Sequence, residues 1–338
     1  MVTVRDVAQD AGVSVGTVSN VINGVRVGEA RKKRVENSIS KLGYQVNTPA
    51  RGMRIQQTDY VVIILPNLTN PYFALLLGDL ERELSEAGKY SLLCISDAQK
   101  EKEIRYIEMA RHCKVDGIIG ITYSDVEKYV EDSLPFVSIE RHFKSNIPCV
   151  ASDNFRGGYL AAENLCKRGA KNLLFIQIIS SIDNEVRKRR SGFEQYCEEH
   201  GVNYNCVEFS EQRVSSIYSS FSSRTLVHDV LKAYLGDASE GTQIDGIFAG
   251  TDHLAVVARQ ELQQMGFRVP EDVQIIGYDG LKLMNSGAQL VSSIYQNTRL
   301  IAKTGVDCLI RLIRQEEAES VVNLEVSFVD GGTTLPLM

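Results

Sequence analysis

The chain has 338 residues, with 37 Lys/Arg against 43 Asp/Glu, a net charge of −6, and seven cysteines among which no C-x-x-C pair occurs. A chain of this length can bury two or three cores of its own, so a disulfide scaffold is not required, and the scattered cysteines read as buried free thiols in a reducing compartment. No stretch approaches the roughly 18 consecutive apolar residues of a membrane span, and the opening residues are polar and helix-like, so a soluble, cytoplasmic protein is expected.

Charge is unevenly spread. Residues 1–58 hold nine Lys/Arg and four acids, a balance of +5 that leaves −11 on the remainder. A basic head on an acidic body fits a module that meets phosphate while the body is kept off nucleic acid. In that head, Val4, Val7, Ala8 and Ala11 recur at helical spacing behind Thr3, a capping residue with Asp6 three positions on. Gly12-Val13 breaks this helix, and Ser14 caps a second one in which Val18, Val21 and Ile22 share a face. Two short helices across a tight turn make a helix-turn-helix candidate. A third helix is expected over Glu29 to Leu42, with the run Arg31-Lys32-Lys33-Arg34 near its start. Residues 45–58 are polar and contain Pro49 and Gly52, which marks a linker. The expected division is a small all-α head at 1–46, a linker at 47–59 and a core at 60–338.

From Tyr60 the rhythm changes. Short apolar runs (Val61 to Leu65, Leu92 to Ile95, Gly117 to Ile121, Phe136 to Ile139) alternate with segments of helical period such as Phe73 to Ala87 and Lys102 to His112. The pattern resumes with strands at Leu173 to Ile178, Gly246 to Ala249 and Val273 to Gly277, separated by helices near Gly158 to Lys167, Arg187 to His200 and His253 to Met265, and ends on a strand-like Leu324 to Val329. Repeated βα alternation predicts parallel sheets flanked by helices, here enough for an α/β core of two lobes with a ligand cleft at the strands' carboxyl ends.

The head's chemistry follows from its geometry. In a helix-turn-helix the start of the second helix enters the major groove, so Val15, Gly16, Thr17, Ser19 and Asn20 are expected to face bases, with Asn20 able to read adenine bidentately. Thr3, Asn23, Arg31 and Lys33 complete the expected DNA-facing set, the two cations as phosphate contacts. No catalytic set holds together: there is no P-loop, no G-x-S-x-G elbow and no dinucleotide-binding glycine motif after the first strand. The five histidines lack metal-ligand spacing and read as helix-surface or capping residues. Binding rather than turnover is expected, without cofactor or metal.

Residues 6–23, D-V-A-Q-D-A-G-V-S-V-G-T-V-S-N-V-I-N, resemble the head signature of the lactose-repressor/galactose-repressor (LacI/GalR) family of bacterial transcription regulators. Leu42-Gly43-Tyr44, Ala50 to Met53, Asn70 to Phe73, Val115 to Ile119, Ser152-Asp153-Asn154, Arg189 to Phe193, Gly250-Thr251-Asp252 and Ile276 to Asp279 are similar to that family's later signatures, in order, over essentially the whole chain. The resemblance implies a periplasmic-binding-protein-like core and a homodimer on a palindromic double-stranded operator. It also implies a linker that folds on DNA with Met53 as its minor-groove wedge, and a small-molecule effector, a sugar before others. By the same resemblance the cleft is lined by Asn70, Tyr72, Phe73, Glu140, Asp153, Arg189, Thr251, Asp252 and Asp279, with Tyr218 or Phe221 as a second stacking aromatic. A purine effector, a protein co-effector received near Arg299 to Lys303, and a plain solute receptor remain alternatives. No leucine heptads follow the last strand, so a dimer rather than a coiled-coil tetramer is expected.

Overall fold

The structure is a computed structural model that describes residues 2–22, 25–44, 58–130, 134–180, 182–210, 220–235, 243–283 and 285–337. It divides into two compact units, Met1–Thr58 and Asp59–Met338.

In the first unit, helices α1 (Val4–Ala11), α2 (Val15–Ile22) and α3 (Glu29–Leu42) bury Val7, Ala8, Ala11, Val18 and Val35 against one another. Thr3 and Asp6 close a capping box at the start of α1, and Ser14 Oγ accepts the Thr17 amide at 3.1 Å to start α2. Gly12, at φ 62°, takes the left-handed turn that ends α1, a conformation that strains a residue bearing a Cβ. Asp10 ties α1 to α3, accepting from Ser38 and from Lys41, both at 2.7 Å.

The second unit is two parallel-sheet α/β lobes. The first sheet runs in the order β11 (Val321–Leu324), β5 (Cys149–Ser152), β4 (Phe136–Ile139), β3 (Gly117–Gly120), β1 (Tyr60–Leu65), β2 (Tyr90–Ile95). The second runs β12 (Ser327–Val329), β10 (Ser293–Tyr295), β9 (Gln274–Asp279), β8 (Gly246–Ala249), β6 (Asn172–Ile179), β7 (Asn203–Ser210), with only β12 antiparallel. Strand periodicity explains why these sequences are almost wholly apolar. Val61, Ile63 and Leu65 face the helices α4 (Pro71–Glu86) and α11 (Thr298–Ile313), whereas Val62 and Ile64 face α5 (Lys100–His112), so both faces are buried. In the second lobe Leu173 and Phe175 pack toward α7 (Asn154–Lys167) and α8 (Lys188–His200), and Leu174 and Ile176 toward α9 (Ser220–Leu235) and α10 (Asp252–Gln264).

The chain crosses between lobes at 152–154, 295–298 and 324–327. The apolar stretch Leu324 to Val329, expected as one strand, is therefore two short strands in different sheets. Strands β5, β7 and β10 carry no strong periodic signal, since β7 is a polar-studded edge strand and β10 is three residues long. Helix α11 does carry helical spacing, with Ile301, Ala302, Gly305, Val306 and Leu309 on one buried face, yet it is absent from the elements expected above. The cysteines also depart from expectation at one position: Cys94, Cys149, Cys197 and Cys308 are buried and Cys166 and Cys206 half-buried, but Cys113 is exposed at the end of α5.

Candidate functional site

Two surfaces carry chemistry, one in each unit. In the head, Val18 turns inward while Val15, Gly16 and Asn20 are exposed and Thr17 and Ser19 half-buried, so the first turns of α2 present one face outward. Val15 is 42% exposed, an apolar side chain left uncovered at the position expected to meet a base. Arg31 and Lys33 are exposed on α3, and the Thr3 side chain is engaged in its capping box with Asp6. Asn23 and Met53 lie outside the described residues.

In the core, a cavity of about 120 Å³ lies at the carboxyl ends of strands from both sheets. From the first lobe come Asn70, Tyr72 and Phe73 after β1, Ile121 and Tyr123 after β3, and Glu140 after β4. From the second lobe come Gln177 and Ser180 on and after β6, Arg189 on α8, Thr251 and His253 after β8, and Asp279 ending β9; Gln296, in the crossing segment after β10, closes the set.

Arg189 reaches this cavity because α7 and α8 touch backbone to backbone. A Cβ on Gly158 would lie 1.8 Å from the Arg189 carbonyl oxygen, and one on Gly192 would lie 1.8 Å from that of Phe155. The Arg189 guanidinium lies 3.5 Å from the centre of the Tyr278 ring, donates from Nε to Asn154 Oδ1 at 2.7 Å, and from Nη1 to the Gly250 carbonyl at 2.6 Å. Asn154 also donates to Glu140 Oε2 at 2.6 Å, while the other Glu140 oxygen accepts the Ser152 amide at 2.9 Å. A second relay runs from Ser152 Oγ to Gln296 Oε1 and from Gln296 Nε2 to Asp279 Oδ1, each 2.8 Å. Both carboxylates at the strand ends have left-handed-side backbones, Glu140 at φ 59° and Asp279 at φ 129°. Such non-glycine outliers concentrate where surrounding contacts hold a side chain for a purpose.

Burial dominates the electrostatics. It raises the Glu140 carboxyl despite Arg189, and it raises Asp279 well above the carboxylate range, with the neighbouring Asp252 adding to the shift. Asp252, fully buried, is pushed up to about 6, and His253 is held below the ordinary imidazole value. Four side-chain atoms of the lining residues are buried without a hydrogen-bond partner: Tyr72 Oη, Gln177 Oε1, His253 Nε2 and Asp279 Oδ2. Polar atoms left so in a protein interior cost stability, and a polar molecule received here would supply their partners.

Asn70, Tyr72, Phe73, Glu140, Arg189, Thr251 and Asp279 thus line one cavity. Asp153 does not: its carboxylate caps α7, accepting the Arg156 amide at 2.9 Å. Asp252 sits behind the wall, accepting the Leu281 amide at 2.6 Å and the Ser293 hydroxyl at 2.5 Å, so it shapes the loop after β9 instead of facing the cavity. The cap of α10 is Thr251, whose hydroxyl oxygen accepts the Leu254 amide at 3.2 Å. Tyr218 lies outside the described residues, as does the side chain of Phe221. Sequence reasoning missed Tyr123, Gln177, His253 and Gln296. Gln177 carries a signal, a lone amide in the apolar run L-L-F-I-Q-I-I, whereas nothing in the sequence sets His253 apart from a helix-surface or capping histidine. His112 and His200 do bond back to helix carbonyls four residues earlier. Among the described residues no cluster could hold a metal ion, and no helix is long and apolar enough to cross a membrane.

Residues 58–329 match the family model for periplasmic binding proteins and the sugar binding domain of the LacI family, and residues 3–47 match the model for bacterial regulatory proteins of the lacI family. The chain is 30% identical to the ribose operon repressor of Halalkalibacterium halodurans, over 95% of its own length and 93% of that protein's. A periplasmic binding protein/LacI transcriptional regulator from Alkaliphilus metalliredigens, solved with D-xylulofuranose, is similar at 26% identity and a TM-score of 0.69, over 82% of this chain and 100% of that one. The lac repressor dimer bound to operator and the anti-inducer ONPF has the same fold, with 21% identity and a TM-score of 0.82 over 99% of both chains.

Proposed function

Because the chain belongs to the LacI family of bacterial regulatory proteins, we propose that it is a transcription repressor that grips a palindromic operator as a homodimer and lets a sugar in the core cavity set that grip. The observation that carries the reading is the cavity itself: strand ends of two lobes converge on four buried, unpartnered polar atoms, which suits a compact ligand rich in hydrogen-bonding groups. Two relatives support a sugar, one by its name as a ribose operon repressor and the other by its bound D-xylulofuranose.

The dimer reading is supported by the edge of the first sheet. Tyr90, Leu92 and Leu93 are exposed along β2, the edge strand, with Tyr60 beside them at the start of β1, an uncovered apolar edge of the kind that pairs with a second copy. The DNA reading is supported by the +5 balance of residues 1–58 and the outward face of α2. The linker at 47–59 carries the signal between core and head, so that a ligand-driven change between the lobes alters the affinity for operator. The protein works in the cytoplasm as a regulator without catalytic turnover.

Operator selection from a random duplex pool, followed by anisotropy titrations with and without D-ribose, D-xylulose, D-glucose and D-fructose, tests the reading. It expects one duplex bound with two-fold symmetry and an affinity that one of these sugars changes by about tenfold or more, which corresponds to a typical allosteric coupling. A selected duplex whose affinity no sugar alters would overturn the effector half of the proposal.

A further inference from the structure

Gln177 is built differently from the other lining residues. It is 2% exposed, in the middle of an apolar strand, and its side chain lies against Gly250, where a Cβ would come within 2.8 Å of Gln177 Cγ. Its Nε2 donates to the Val186 carbonyl at 3.3 Å, so the amide is anchored by one end, and Oε1 is left as an acceptor without a partner on a residue that lines the cavity. An apolar side chain would fill the same strand position without the cost of burying an amide, so strand packing alone does not account for the residue.

A second unpartnered polar atom stands at Asp279, whose Oδ1 accepts from Gln296 while Oδ2 has no partner. The ionisable groups around them are mostly carboxyls. Glu140 and Asp279 line the cavity and Asp252 backs it, whereas Arg189, the one lining guanidinium, is already bonded to Asn154 and Gly250 and stacked on Tyr278. A preset acceptor at Gln177 calls for a ligand that brings a hydrogen-bond donor, and burying a phosphate beside a guanidinium already bonded and stacked costs heavily for want of a paired cation.

We infer that Gln177 is a specificity residue of this cavity: its Oε1 accepts a hydrogen bond from a hydroxyl of an uncharged, hydroxyl-rich ligand, and the cavity rejects the phosphate esters of that ligand. The inference rests on the cavity being the effector site. A site that buries an acceptor for a ligand hydroxyl discriminates strongly against the analogue lacking it, because the acceptor is then stranded.

The test uses the full chain and calorimetry with D-ribose, D-xylulose, D-glucose and D-fructose, their phosphate esters, and the single-deoxy analogues of whichever sugar binds. The neutral sugar is expected to bind at least about tenfold more tightly than its ester, and removal of one particular hydroxyl to cost about tenfold or more in the wild type. In Gln177→Met that hydroxyl's penalty should fall to about threefold or less, with the other deoxy penalties unchanged. Gln177→Glu keeps an acceptor but loses the donor to Val186, so it should retain the penalty; this separates ligand reading from a purely structural role and covers the case that Gln177→Met does not fold. A phosphate ester that binds more tightly than its sugar, or deoxy penalties unchanged in Gln177→Met, overturns the inference and leaves the effector site standing. If no sugar or ester binds, the effector reading itself fails and the inference with it.

Discussion

Gly192 lies so close to Phe155 that a Cβ on the glycine would sit 1.8 Å from the Phe155 carbonyl oxygen. Helices α7 and α8 can therefore approach backbone to backbone only with glycine at this point, and Arg189, one helical turn earlier, is carried to the cavity by that approach. Gly192→Ala must push the helices apart, so we expect a loss of about 3 kcal/mol or more in urea unfolding of the core, at the upper end of overpacking costs. Gly201→Ala offers a contrast on the same helix: nothing lies within 4 Å of its Cβ, and its cost should be only that of forcing φ 64° on a non-glycine residue, about 1 kcal/mol. Equal losses in the two variants would contradict the packing argument.

Asp279 and Arg189 should not behave alike on truncation. Asp279→Asn keeps an acceptor for Gln296 but replaces a carboxylate oxygen at the cavity, so sugar affinity should fall about tenfold or more while sugar-free operator affinity stays within about twofold. Arg189→Ala also strands the Asn154 side-chain oxygen and the Gly250 carbonyl, so it should additionally destabilise the core by about 1–3 kcal/mol. Thermal melts and anisotropy titrations of both variants decide this, and an Arg189→Ala protein as stable as wild type would show that the guanidinium serves the ligand alone.

Burial raises the Asp252 carboxyl from its ordinary value to about 6, so the folded state holds a proton there more tightly than the unfolded state does. The stabilisation from this group is complete below about pH 4 and is lost as pH rises through about 6, a difference on the order of 1–3 kcal/mol. Asp279, shifted in the same direction, reinforces the trend. Asn at position 252 can accept from Leu281 and donate to Ser293 at any pH, so the stability of wild type minus that of Asp252→Asn should decline between pH 4 and pH 7. A difference that is flat or rising across that range would refute the assignment.

In the head, Asn20 and Lys33 separate reading from grip. Asn20→Ala should relax preference at one base position per half-site by about 1–3 kcal/mol, whereas Lys33→Ala should weaken all duplexes alike and lower the salt dependence of binding by about one phosphate contact. An Asn20→Ala protein that selects the wild-type operator from a random pool would remove Asn20 from the base-reading set.

The sequence by itself determined the head's three helices, because caps, breakers and helical spacing act within a few residues: Thr3 with Asp6, Gly12, Ser14 and the run Glu29–Leu42 all stand where local chemistry puts them. It also determined the βα alternation of the core, since strands buried on both faces must be apolar throughout. The tertiary structure alone decided which strand-end residues share the cavity. Asp153 and Asp252 have the residue type of ligand contacts, yet a helix amide claims one, and a loop amide with a serine hydroxyl claims the other. Gln177, His253 and Gln296 come together from three elements that are far apart in the chain, and no local spacing encodes that meeting. The segment Leu324 to Val329 shows the same division, for its apolar pattern fixed extended structure, but only the two sheets it joins decided that it would split between them. Local propensity is a property of neighbours in sequence, whereas the partner that satisfies a buried polar atom is a neighbour in space.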